Sequence, residues 1–272
     1  MKLSMMSYTM ARQVEKLDVP AMMKLTRELD FDGIDFVSLH DNRPEDLRKM
    51  ADDIGVPIIC HTFFADDLNH PEPQQRREGL ETCRRGIEAA VILGAPVIMI
   101  PTPAKEGKPR EASRRDWIEG LKEVASLTRS AGIQLTIENF PGVDSPFVIA
   151  DDLLEGIAEV PGLKITYDSG NAFTGEDPLD SFFRTAEYTV HVHFKDWTTS
   201  PSPKQGYYPM LDGRYYRPAL IGEGEVDNEA ILQALQDRRY DGYINIEYQG
   251  DDYPADEALR RAVAYLRENI AR

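Results

Sequence analysis

The sequence predicts a (β/α)₈ barrel, a closed ring of parallel strands wrapped by helices. Three observations predict it. Short β-type apolar runs alternate with longer helical patterns along the whole chain. The alternation gives eight strand-and-helix pairs within 272 residues, near the ~250 residues such a barrel typically takes. No change of composition marks a second domain, so residues 1–272 read as one unit. A doubly wound open sheet is the alternative, but it usually has fewer strands, and no GxGxxG follows the first strand.

The elements follow in order. KLSMMSY (2–8) is the first strand and DVPAMMKLTRELD (18–30) its helix. GIDFVSL (33–39) precedes RPEDLRKMADDIG (43–55). PIICHTF (57–63) precedes a helix over 75–93 that sets Leu80, Cys83, Ile87, Ala90 and Val91 on one stripe, with Gly94 as its cap. PVIMIP (96–101) leads into ASRRDWIEGLKEVASLTRSAG (112–132), whose Trp117, Leu121, Val124, Ala125 and Thr128 face inward and whose stop is Gly132. IQLTIENF (133–140), LKITYDSG (163–170), TVHVHFKDW (189–197) and YINIEYQ (243–249) complete the strands. Each is followed by a helix, the last over 255–271 with Leu259, Val263, Leu266 and Ile270 in register.

Composition narrows the function classes. The 47 acidic against 31 basic residues give a net charge of −16, which repels the phosphate backbone of nucleic acids. The two cysteines, Cys60 and Cys83, form no CxxC and no disulfide framework, which fits a reducing cytoplasm. The first residues lack a sustained apolar run, and nowhere do 18 apolar residues follow one another, so neither secretion nor a membrane span is expected.

The last four strands share a finer pattern. Leu135 and Ile137 alternate with Thr136 and Glu138; Ile165 and Tyr167 with Lys164, Thr166 and Asp168; Val192 and Phe194 with His191, His193 and Lys195; Ile244 and Ile246 with Asn245 and Glu247. Side chains alternate sides along a strand, so the apolar set would face the helices and the polar set the barrel lumen, which is ordinarily filled by branched apolar residues. Glu138, Asp168, His193 and Glu247 thereby converge near the C-terminal ends of the strands, where barrel active sites lie. Three carboxylates packed together repel one another and lose solvation, so a cation is needed to hold them as anions. Oxygen ligands with one imidazole and no thiolate favour Mn²⁺, Mg²⁺ or Co²⁺ over a structural Zn²⁺. His191, deeper in its strand, reads as a packing residue. His61, at the end of the third strand, reads toward the mouth, whereas His40 and His70 carry little signal.

Across essentially its whole length the chain resembles the sugar isomerase/epimerase superfamily of xylose-isomerase-like barrels. The likeness is carried by TIENF with Glu138, YDSGN with Asp168, HVHFKD with His193, Lys195 and Asp196, GEGEVD, and YINIEY with Glu247. It implies a divalent ion held by the four matching residues, and Glu138 and Glu247 as the groups that exchange protons with substrate. Where ketose epimerases tend to carry a histidine three residues after the Asp ligand, this chain has Asn171, and where they carry an arginine shortly after the His ligand it has Lys195-Asp196-Trp197. The H-x-K-D form looks more like members described as sugar phosphate isomerases and like the dehydratases.

The expected activity is a metal-dependent isomerisation or epimerisation of a ketose-type sugar or sugar phosphate through an enediolate. The alternative is a lyase that dehydrates a keto-sugar or keto-inositol. In either, Glu138 and Glu247 are the candidate bases, Lys195 would stabilise the developing oxyanion, and His61 would orient a hydroxyl. Asn171, Asp196, Arg217 and Glu223 are the candidate substrate contacts. An apurinic endonuclease of the same superfamily is disfavoured by five histidines and the acidic surface. Residues 198–222 form a connection far longer than the usual 2–6 residues. They read as a lid, with Tyr207, Tyr208, Tyr215 and Tyr216 to stack on a sugar and Arg214 or Arg217 to meet a phosphate or carboxylate. A disordered insertion, or a contact between copies in a homo-oligomer, is the other reading of this segment.

Overall fold

Eight parallel strands close on themselves in the computed structural model, which describes residues 1–270. The chain runs β1 (Lys2–Met6), α1 (Ser7–Ala11), α2 (Val19–Glu28), β2 (Gly33–Val37), α3 (Pro44–Ile54), β3 (Ile58–Thr62), α4 (Pro73–Leu93), β4 (Val97–Met99), α5 (Arg110–Ala131) and β5 (Gln134–Glu138). It continues through α6 (Ala150–Glu159), β6 (Lys164–Asp168), α7 (Ser169–Phe173), α8 (Pro178–Thr185) and β7 (Thr189–Phe194). Then come β8 (Asp196–Ser200), β9 (Tyr208–Pro209), β10 (Tyr215–Ala219), α9 (Asn228–Asp237), β11 (Tyr243–Ile246) and α10 (Ala255–Ile270). The barrel order is β1-β11-β7-β6-β5-β4-β3-β2, so β11 is the eighth barrel strand and closes the ring against β1.

The helices end where the chain supplies a left-handed residue. Gly94 and Gly132 both sit at φ 70°, a conformation that costs other residues their Cβ clearance and that here closes α4 and α5. The apolar alternates of the strands, among them Ile137, Tyr167, Val192, Phe194, Ile244 and Ile246, are buried against the helix layer, where Trp117, Leu121 and Val124 of α5 and Leu259 and Leu266 of α10 meet them. The stripe expected on α4 is corrected at one position: Val91 is 54% exposed. The buried face tracks Gly79, Cys83, Gly86, Ala90 and Leu93, and Val91 lies about 100° from Ala90 on a 3.6-residue helix. Residue 271, expected in the last helix, lies outside the described residues.

The long segment after β7 is ordered. Its three strands form a separate antiparallel sheet in the order β8-β10-β9, with Tyr215 opposite Ser200 and Ala219 opposite Asp196. A small core of Trp197, Met210, Tyr216 and Val226, joined by Phe173, fixes it to the barrel rim. Tyr216, expected to stack on a sugar, is fully buried here and donates its hydroxyl to Phe173 O and Asp212 Oδ2. Among the described residues no helix is long and apolar enough to cross a membrane.

Candidate metal centre

Strand register brings the polar alternates together. Glu138 pairs with Thr166 and Asp168 with His193, while Asn245 lies opposite His193 and Glu247 follows the last residue of β11. Because Val192 and Phe194 point into the core, His191, His193 and Lys195 must point into the lumen. One ligand atom from each of Glu138, Asp168, His193 and Glu247 lies within 4.8 Å of all the others, and all four residues are buried.

Hydrogen bonds aim these side chains. Asp168 caps α7, accepting from the Asn171 amide at 2.6 Å through Oδ1, and its other oxygen is buried without a hydrogen-bond partner among the described residues. Asn139 clamps the ends of β5 and β6 by accepting from Asp168 N and donating to Asp168 O. His193 Nδ1 is 2.5 Å from Glu138 Oε1 and 3.8 Å from Glu247 Oε2. The Lys195 ammonium donates to Glu247 Oε1 at 2.7 Å and to Asn171 Oδ1 at 3.1 Å, and lies 3.8 Å from Asp168 Oδ2. Gln249 donates to the same Glu247 oxygen at 2.6 Å.

The electrostatics are those of a site with surplus negative charge. Burial pushes the Asp168 carboxyl up to about 7, with Lys195 opposing the shift and Glu138 and Glu247 adding to it. Burial works against the His193 imidazolium, yet Glu138, Glu247 and Asp35 overcome it and raise the group to about 9. The Lys195 ammonium is likewise held above its ordinary range by Glu247, Asp168 and Glu138 in spite of burial. With His193 neutral, as an imidazole ligand must be, the three carboxylates of the cluster against one ammonium leave two negative charges uncompensated in a buried space, which a divalent cation would balance. The orphaned Asp168 oxygen and the convergence of three carboxylates with an imidazole fit such an ion.

The remaining expected site residues divide. Asn171 joins the cluster through Lys195. Arg217 lies beside it, in a cavity of about 280 Å³ lined also by Tyr8, Arg12, Tyr208 and Gln249, where it pairs with Asp252. His61 is not in the cluster. It packs on Phe63 and faces Phe36 O on the α4 side of β3, while Cys60 and Thr62 occupy the opposite face. Its lowered value, about 4 through burial, is that of a neutral packed imidazole. Asp196 is spent on the backbone, accepting from the amides of Trp197, Gly222, Gly224 and Val226. Glu223 turns outward to Tyr253 and Arg261. Arg214 pairs with Asp212 and covers Phe173 and Tyr216. The sequence reading passed over Asp35, Asn139 and Gln249. Asp35 was detectable as a charged residue inside the buried strand GIDFV; Gln249, beyond a strand end, offered no comparable signal.

A closed parallel barrel with an acidic, histidine-containing cluster at its C-terminal mouth defines the class of xylose-isomerase-like barrels. The chain belongs to that family: the model of the xylose isomerase-like TIM barrel matches residues 23–269. An inosose dehydratase of Clostridium perfringens is 27% identical over 247 residues, covering 83% of this chain and 82% of that protein. Among solved structures, the IOLI protein with a bound zinc atom superposes with a TM-score of 0.82 at 16% identity, over 100% of this chain and 98% of the other. D-psicose 3-epimerase of Clostridium cellulolyticum, solved with D-tagatose, gives a TM-score of 0.79 at 15% identity over 99% of each chain.

Proposed function

We propose that this barrel is a divalent-metal-dependent isomerase or epimerase of a ketose-type sugar or sugar phosphate. The observation that carries the reading is the buried four-residue cluster, whose three carboxylates outnumber the single ammonium beside them. Glu138, Asp168, His193 and Glu247 would hold the ion, with Mn²⁺, Mg²⁺, Co²⁺ and Zn²⁺ all compatible with these donors. When bound, the ion supplies Lewis-acid polarisation of a substrate carbonyl.

The protein's own residues do the rest. Glu138 and Glu247 come from non-adjacent strands and face the same space. One carboxylate takes the proton from the carbon next to the carbonyl, giving an enediolate, and the other returns a proton to the opposite face or the neighbouring carbon. The Lys195 ammonium lies beside the position of the developing oxyanion and offsets its charge. Glu247 shares one oxygen between Lys195 and Gln249, so its other oxygen, on the His193 side, is the one left for the ion and the substrate. The Arg12, Tyr208 and Arg217 cavity, joined to the centre through Gln249, receives the distal part of the sugar, and residues 198–222 act as the lid over it.

The similarity to an inosose dehydratase over most of the chain favours a second reading, loss of a β-hydroxyl from a keto-inositol or keto-sugar after the same proton abstraction. Incubating the metal-loaded protein with ketoses, ketose phosphates and keto-inositols in D₂O, followed by NMR, tests both. Deuterium at a carbon next to the carbonyl with an isomeric product supports isomerisation; an enone product supports dehydration. No exchange with any of the three classes would overturn both.

A further inference from the structure

Beneath the four-residue cluster, inside the barrel, lies a second group of titratable side chains. Asp35 of β2 reaches across the lumen to β7, from which β11 and β1 separate it. Its Oδ2 is 2.5 Å from His191 Nε2 and 3.9 Å from His193 Nε2. All three residues are buried to within 2% of complete. Two complementary atoms there have no hydrogen-bond partner among the described residues: the acceptor Asp35 Oδ1 and His193 Nε2. A buried donor and acceptor left unpaired side by side cost stability, which is why such neighbours ordinarily pair.

The ring orientation of His193 would give a hydrogen bond between these two residues a purpose. Nδ1 faces Glu138 and Glu247, so Nδ1 is the nitrogen available to an ion, and Nε2 must then carry the proton. A metal-bound histidine characteristically donates its other N–H to a carboxylate, which fixes the tautomer and strengthens the ligand. We propose that Asp35 is a positioning residue of the metal centre: it accepts the Nε2–H of His193 and holds Nδ1 toward the ion, while His191 anchors Asp35 from the other side. The inference rests on the metal-centre reading above.

The same three residues also have the spacing of an ion site, since their ligand atoms lie within 4.8 Å of one another. The 2.5 Å contact between Asp35 and His191 argues against it, because ligand atoms each about 2.0–2.2 Å from one ion are normally held further apart than that. A second dication so close to the first would also add repulsion in a dry interior.

The test uses Zn²⁺ as a diamagnetic probe on the whole chain. In protein labelled with ¹⁵N-histidine, long-range ¹H–¹⁵N spectra of the zinc-loaded form should show His193 as the Nε2–H tautomer, and calorimetry should give one ion per chain. Asp35→Asn keeps the shape and one acceptor but removes the charge, and should weaken zinc affinity about 10–100-fold with little change in the melting temperature of the metal-free protein. His191→Phe should weaken zinc affinity by less than Asp35→Asn, since it loosens Asp35 but leaves the carboxylate that receives His193. An Nδ1–H tautomer, an unchanged affinity in Asp35→Asn, an equal loss in His191→Phe, or two ions per chain would each overturn the proposal. Failure of the wild-type chain to bind zinc or manganese would instead overturn the metal-centre reading itself.

Discussion

At the scale of single residues, the proposed mechanism gives the two glutamates and the lysine separable tasks. Glu138→Gln and Glu247→Gln keep size and one oxygen donor but cannot accept a carbon-bound proton at neutral pH. Turnover should fall about 10²–10⁴-fold, the usual contribution of a positioned base, while metal binding weakens without vanishing. With deuterated substrate the two variants should differ in which label exchanges with solvent, because they sit on different strands around the centre. Lys195→Met should separate binding from chemistry. Removing an ammonium 2.7 Å from Glu247 and 3.8 Å from Asp168 takes away a competing cation. Divalent affinity measured by calorimetry should hold or rise, while kcat falls about 10²–10³-fold through loss of oxyanion stabilisation. Equal losses in both measurements would show that Lys195 serves the fold. The four clustered residues were legible because each breaks the apolar alternation of its strand at the same end. His61 and Asp196 were misplaced for one physical reason: sequence reports that a residue is polar and near a mouth, but not which face of the strand it occupies or whether backbone amides have already claimed it.

At the scale of elements, the segment after β7 is the informative one. Its length was legible, its architecture was not, because a sheet of two- and five-residue strands with irregular connections leaves no periodic signal. Tyr215 pairs with Ser200, so a two-residue Asn-Gly turn can join them in place of residues 201–214. If the segment is a lid, this variant should retain metal affinity while KM rises or kcat drops; unchanged kinetics would leave it a spacer. The α7 end is similarly exacting. A Cβ at Gly170 would meet Lys195 Cβ at 2.8 Å and its backbone at 2.9 Å. Gly170→Ala should therefore lower the melting temperature and, by moving Lys195, depress kcat more than zinc affinity.

At the scale of the whole molecule, the barrel bears four buried carboxylates in its lumen, those of Asp35, Glu138, Asp168 and Glu247, where branched apolar side chains would stabilise it more. On the metal-centre reading the site is a source of instability that a bound ion would relieve. Titrating Mn²⁺ to about 100 times its dissociation constant should stabilise the chain by ~2.7 kcal/mol. At this size that corresponds to roughly 5–10 °C in melting temperature, read by calorimetry. Asp168→Asn should raise the melting temperature of the metal-free protein by removing one buried charge, and should largely abolish the gain from Mn²⁺. A metal-dependent shift that survives in this variant would place the ion elsewhere.

The sequence by itself determined the barrel and the four clustered residues, because both follow from period: alternating β and helical patterns specify strand-and-helix pairs, and strand parity specifies the lumen face. Only the tertiary structure decided what surrounds the cluster. Asp35 meets His191 across 156 positions of sequence, and Gln249, Arg12 and Arg217 meet around one cavity from three separate segments. Such contacts depend on barrel closure and on the register between non-adjacent strands, neither of which local patterns encode. The same closure turned His61 toward α4 and tied Asp196 to the backbone of its own loop.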